Sequence, residues 1–125
     1  MPTDPDMSIA PRLLQWSAAA AALVMTVSLL KLGETSLAVG LIPSPWDKLA
    51  HAGTFGAIAF LLWLGCGRRA LVACATAAFA LACYDEWRQL MLPGREADIQ
   101  DLIANAIGIL AAAWVARQLT PKEFL

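Results

Sequence analysis

Residues 49–87, LAHAGTFGAIAFLLWLGCGRRALVACATAAFALACYDEW, decide the fold. Two apolar runs, Leu49 to Cys66 and Ala70 to Tyr84, are joined by Gly67-Arg68-Arg69, and His51 is the only interruption in the first. A membrane helix needs about 20 apolar residues, within roughly 17–25, to cross hydrocarbon about 30 Å thick. The stretch therefore reads as two membrane helices joined by a tight basic turn. Composition agrees, with 59% hydrophobic and 15% charged residues, against about 45–50% and about 25% in soluble domains. A chain of 125 residues forms one domain at most, and so small a core cannot bury this much apolar surface. The formal net charge of −1 lacks the basic stripe that nucleic acid requires. Membrane lipids are the expected surroundings, and no nucleic acid is expected as a partner.

Two more spans appear on either side. Leu13 to Leu30 is uncharged between Arg12 and Lys31, and Leu102 to Ala116 contains only Asn105 as a strongly polar residue. Together these predict an all-α, polytopic membrane protein, a four-transmembrane-helix bundle. Its spans fall at about 13–30, 49–66, 70–87 and 100–117 in a domain covering 12–119, at the length a bilayer requires. Residues 1–11, with Pro2, Pro5 and Pro11, are expected to be a flexible tail. Pro43 and Pro45 break the first link, and Pro93-Gly94 marks a turn in the last. Ser36-Leu37-Ala38 loosely resembles a signal-peptide cleavage site. The first apolar run exceeds the about 7–15 residues of a signal core, and Asp4 and Asp6 precede it, so a retained helix is expected. Ala104, Gly108 and Ala112 form a stripe of small residues suited to close helix approach, and Gly53 and Gly56 offer another on the second span. Cys66, Cys74 and Cys83 lie in apolar runs without metal-type spacing and read as packing residues.

Alternation of the spans gathers the polar residues. The start of the second span, the end of the third and the start of the fourth share one membrane face. They carry Asp47, Lys48 and His51; Asp85, Glu86 and Gln89; and Arg95, Asp98, Asp101 and Asn105. Asp47 and His51 are i,i+4, and Glu86 and Gln89 are i,i+3, so each pair shares a helix face. Asp98, Asp101, Asn105 and Gly108 make one polar stripe that ends in glycine. The uncharged parts of the last two spans are short, about 22 Å at about 1.5 Å per residue, which draws these charges toward the bilayer. Ionisable groups there are costly, face the bundle interior and pair with one another. Plainer roles exist: Asp98 and Asp101 as helix caps, His51 as a buried neutral imidazole, Asp47-Lys48 as an interfacial ion pair, Arg88 snorkelling to headgroups, and Asp85 and Glu96 in solvent. The convergence of three helix ends favours a polar pocket.

In its motifs the chain resembles the VanZ-like family of small bacterial membrane proteins. The residues that carry the likeness are Asp47-Lys48-x-x-His51, Glu86-x-x-Gln89, Pro93-Gly94-Arg95 and Asp101-x-x-x-Asn105-x-x-Gly108, between Trp46 and Trp114. The resemblance implies a multi-pass protein of the bacterial (inner, cytoplasmic) membrane. It also implies a link to the cell envelope through glycopeptide (teicoplanin) resistance, and it brings no defined reaction or cofactor. For orientation, the positive-inside rule sets Arg12, Arg68, Arg69, Arg117 and Lys122 against Lys31, Lys48, Arg88 and Arg95. Both termini are placed in the cytoplasm and the polar face outside.

Three functions fit these residues. In the first, Asp47, Lys48, His51, Glu86, Gln89, Arg95, Asp101 and Asn105 bind an anionic or lipid-linked ligand, such as an envelope precursor or an amphiphilic antibiotic, with Lys48 and Arg95 as the cationic anchors. In the second, the pocket is a membrane-embedded enzyme of hydrolase or transferase type, with His51, Glu86 and Asp101 as acid/base candidates. A metal-assisted variant would use Asp47, His51, Glu86 and Asp101; one histidine with carboxylates is a mediocre transition-metal set, magnesium would accept the oxygens, and no metal is assigned from sequence. In the third, the same residues form a structural ion-pair network.

Overall fold

The computed structural model describes residues 6–35 and 40–120. Four helices follow one another: α1 (Asp6–Gly33), α2 (Trp46–Cys66), α3 (Leu71–Gln89) and α4 (Ile99–Leu119), with a short 3-10 turn at Arg68–Ala70 leading into α3. All four are long and apolar enough to cross a membrane, and the described residues contain no strand. Helix α1 begins at Asp6, so residues 6–11, expected to fray, are helical, and Pro11 lies inside the helix. The rest of the expected tail, the loose cleavage site at Ser36-Leu37-Ala38, and Lys122 lie outside the described residues.

The bundle is apolar on its outside. Trp16, Leu23, Val72, Leu110 and Trp114 are each more than three-fifths exposed, which suits lipid and would be costly in water. Phe55, Ala59, Ala78, Ala82 and Ile109 form the core near the charged end, and Trp63, Cys74 and Ala116 form the core near the Gly67 turn. Cys74 therefore packs as expected, whereas Cys66 and Cys83 are exposed. Helix α2 is central: it packs most extensively on α4, and also on α1 and α3.

Backbone proximity makes α2–α4 the tightest pair. A Cβ at Gly108 would collide with the backbone carbonyl of Ala52, and one at Gly56 would sit 2.8 Å from the Gly108 carbonyl oxygen. Only glycine allows this approach, as small residues do in membrane bundles. Gly53 does not share this role, because it is exposed and open space surrounds it. Position 53 is one residue, about 100°, away from Ala52 around the helix, off the contact face. Gly65 packs against Ala19 and brings α1 onto α2.

Gly108→Leu should destabilise the folded protein in micelles by about 1–3 kcal/mol or prevent its accumulation, because overpacking forces the backbones apart. Gly53→Ala should leave thermal unfolding in the same detergent unchanged or slightly raised. Equal effects at the two positions would contradict the α2–α4 packing.

Candidate functional site

One end of the bundle collects the C-termini of α1 and α3 and the N-termini of α2 and α4. Both α2 and α3 extend past their uncharged cores, so Asp47 and Lys48 lie in the first turn of α2 and Asp85 to Gln89 in the last turns of α3. The charges are thus part of the spans themselves.

Lys48 is the hub. Its Nζ donates to Asp98 Oδ2 at 2.7 Å and to Asp101 Oδ1, and it lies 3.3 Å from Asp47 Oδ2. This ties the start of α2 to the start of α4. Asp98 also caps α4: its backbone is extended and its Oδ1 accepts from the Gln100 amide at 2.8 Å, satisfying one of the orphan N–H groups of the first turn. Both of these donors hold the Asp98 carboxyl below its ordinary pKa, Lys48 most strongly. The Asp98 amide in turn donates to Glu86 Oε2 at 3.1 Å, so Glu86 ties α3 to the same junction.

His51 sits one turn beyond Asp47, with Nε2 3.5 Å from Asp101 Oδ2. Ligand atoms of His51, Glu86 and Asp101 all lie within 4.8 Å of one another. Below them Asn105 is fully buried, and neither atom of its amide has a hydrogen-bond partner among the described residues. Asp85 and Gln89 are buried beside this group, with Gln89 Nε2 donating to Asp85 Oδ2 over a long 3.4 Å.

The arginines close the site on α1. Leu92-Pro93-Gly94-Arg95 is a tight turn in which the Arg95 amide donates to the Leu92 carbonyl at 3.2 Å, and Gly94 adopts the positive φ of 75° that the turn requires. Arg95 then donates through Nη2 to the Gly33 carbonyl at 3.1 Å. Arg88 donates to the Leu30 carbonyl at 3.2 Å and to Glu34 Oε1. Both guanidinium groups cap carbonyls left without helical partners at the end of α1, where cations are favoured.

Asp47, His51, Asp85, Gln89, Arg95 and Asp101 line a cavity of about 260 Å³ together with the apolar Leu29, Leu32, Leu41 and Ile42. All eight residues expected to form the pocket meet here: Asp47, His51, Gln89, Arg95 and Asp101 on its wall, and Lys48, Glu86 and Asn105 directly behind it. Their division of labour differs from the expectation, since Lys48 is held by carboxylates and is not on the wall. Asp85, read as solvated, is 5% exposed and lines the cavity, whereas Glu96 is exposed as expected. Asp98 has a larger part than capping, and Arg88 reaches α1 instead of the headgroup region.

A family model described as VanZ/LLP1 matches residues 8–120. The chain belongs to this family. The match extends beyond the motifs between Trp46 and Trp114 to include the first helix and nearly the whole chain. Neither the curated proteins nor the solved structures gave a match.

For a VanZ/LLP1 protein built this way, acid should loosen the junction at Asp98. A group whose folded pKa is lowered contributes stability that is complete above its ordinary value, about 3.9 for aspartate, and is lost as pH falls through the lowered value. Thermal unfolding in micelles should therefore lose stability as pH falls from about 5 toward 2, the window that the aspartate reference value sets. Asp98→Asn should show a shallower loss over that window, and an identical slope in the variant would contradict the Lys48–Asp98 link.

Proposed function

We propose that this VanZ-family protein binds the anionic headgroup of an envelope amphiphile at its polar mouth, with Arg95 as the anchor. The observation that carries this reading is the unequal use of the cations. Lys48 is taken up by three carboxylates and Arg88 by Glu34. Arg95 lines the cavity, its Nε is buried without a partner, and no carboxylate forms an ion pair with it among the described residues. A guanidinium with spare donors suits bidentate recognition of phosphate or carboxylate. Gln89 beside it supplies a further amide, and the apolar wall of Leu29, Leu32, Leu41 and Ile42 suits the first methylenes of a lipid chain.

Size narrows the ligand. A cavity of about 260 Å³ is smaller than the about 300–1,000 Å³ of pockets that enclose drug-sized molecules. It accommodates a phosphate headgroup and a short stretch of chain, not an entire glycopeptide. A lipid-linked envelope precursor is the better fit, and any contribution to teicoplanin tolerance would then act through the lipid that the protein holds. On this reading the protein lies in the bacterial inner membrane with both termini cytoplasmic, and the mouth faces the envelope.

Acid/base chemistry on such a lipid is the second reading, favoured by the grouping of His51, Glu86 and Asp101 within 4.8 Å. Glu86 or Asp101 would accept the proton and His51 would return it; His51 and Asp101 line the cavity that would hold the headgroup, and Glu86 lies directly behind them.

Binding of a short-chain polyprenyl phosphate to the purified protein in nanodiscs tests the anchor, with inorganic phosphate and teicoplanin as separate arms. Loss of charge-assisted hydrogen bonds costs about 1.5–3 kcal/mol, so Arg95→Ala should weaken lipid-phosphate binding at least about tenfold, and Arg95→Lys should restore part of it. Binding by Arg95→Ala equal to that of the unaltered protein would overturn the proposal. A polyprenyl phosphate turned over by the unaltered protein but only bound by Glu86→Gln would establish the second reading.

A further inference from the structure

We propose that the mouth also binds a divalent first-row metal ion, of the manganese or zinc kind, through His51 Nε2, Asp101 Oδ2 and a carboxylate oxygen of Glu86. The proposal does not use the Arg95 anchor, although His51 and Asp101 line the same cavity.

The charge balance points to a missing cation. Asp47, Asp85, Glu86, Asp98 and Asp101 converge on this end of the bundle, and among the described residues Lys48 is the one lysine or arginine that ion-pairs with any of them, Arg88 being paired with Glu34. An excess of negative charge at a membrane boundary is costly unless cations compensate it. Acidic residues alone would not make a site, but two buried polar groups point the same way. Glu86 is 7% exposed; its Oε2 is used by the Asp98 amide, while its Oε1 is buried without a partner. Asn105 is 0% exposed with both amide atoms unpartnered. It follows Asp101 by one helical turn, and helical side chains lean toward the N-terminus, which aims its amide at the turn carrying Asp101. Its Oδ1 would be an oxygen ligand or would hold a metal-bound water.

Distances support coordination over hydrogen bonding. His51 Nε2 and Asp101 Oδ2 are 3.5 Å apart, too long for a good hydrogen bond. Two ligands about 2.1 Å from one ion stand roughly 3.0–3.4 Å apart at octahedral or tetrahedral angles. The whole set lies within 4.8 Å, a little wider than the roughly 4.2 Å that separates opposite ligands at that bond length, so a bound ion would draw the three side chains together by a few tenths of an ångström. Lys48 occupies the other oxygen of Asp101, so Asp101 bridges the ammonium and the ion and keeps one oxygen for each. An imidazole nitrogen together with carboxylate oxygens suits manganese or zinc, whereas magnesium and calcium prefer oxygen alone.

His51 is the only histidine in the chain, which makes the test specific. The untagged full-length protein in micelles is stripped with chelator, titrated with Mn2+, and examined by electron paramagnetic resonance, including modulation from directly bound nitrogen. The expected result is tight binding of about one ion per chain, the stoichiometry of a single site, with imidazole nitrogen modulation. His51→Gln should abolish that modulation, and Glu86→Gln should weaken binding at least about tenfold, the lower end of what lost ligand-shell partners cost. If Glu86→Gln fails to fold, as judged by helical circular dichroism, Asp101→Asn serves in its place, with the same expected weakening. No bound Mn2+ in the unaltered protein, or a bound ion whose signal lacks nitrogen or survives His51→Gln unchanged, would overturn the proposal.

Discussion

In hydrocarbon a charge must find a partner inside the protein, and the contact that meets this requirement here is the grip of Lys48 on Asp98 and Asp101. It joins the first turn of α2 to the first turn of α4, at the end of the bundle where the two helices start. From there the pair runs through the bilayer on the close approach of Gly56 and Gly108, a contact that needs no polar group. The polar clasp at the boundary and the glycine contact in the apolar interior act on one helix pair. Together they set its register: sliding α4 by one residue would break both.

The other two helices are attached to this pair by donated hydrogen bonds. Glu86 receives the Asp98 amide, so the loop entering α4 holds the end of α3. Arg95 and Arg88 give protons to the last carbonyls of α1, so the peripheral helix is fixed where its own ladder runs out. Arg95 and Asp101, on the cavity wall, and Lys48 and Glu86, behind it, therefore also hold the bundle together. Structure and site are not separable at this end, and a substitution here acts on both. At the opposite end, Trp63, Cys74 and Ala116 close the bundle by apolar packing around a short basic turn.

The span count, the shared face and the gathering of most of the polar residues at it were legible in the sequence, because each rests on a strong signal: long uncharged runs, alternation, and helical spacing. What was not legible depended on contacts between helices. Asp85 and Arg88 occupy adjacent turns with similar local patterns, and nothing local distinguishes the acid that lines the cavity from the base that reaches back to Glu34. Asp98 looked like a cap, and it is one, but its second oxygen is used across the bundle. Gly53 and Gly56 carry equal weight in a list of small residues, yet only Gly56 faces α4. The part taken by α1 had a readable clue in the arginines near the far ends of α3 and its loop, since alternation puts the carbonyl end of α1 on that same face.

A double-mutant cycle on Lys48→Met and Asp101→Asn, read by reversible unfolding in bicelles, tests the clasp most directly. Contacting charged partners couple by about 0.5–3 kcal/mol, and the account predicts a value in the upper half of that range, with the double variant more stable than the sum of the single losses implies. Losses that simply add would contradict it, because they would mean that the lysine and the aspartate are held apart in lipid.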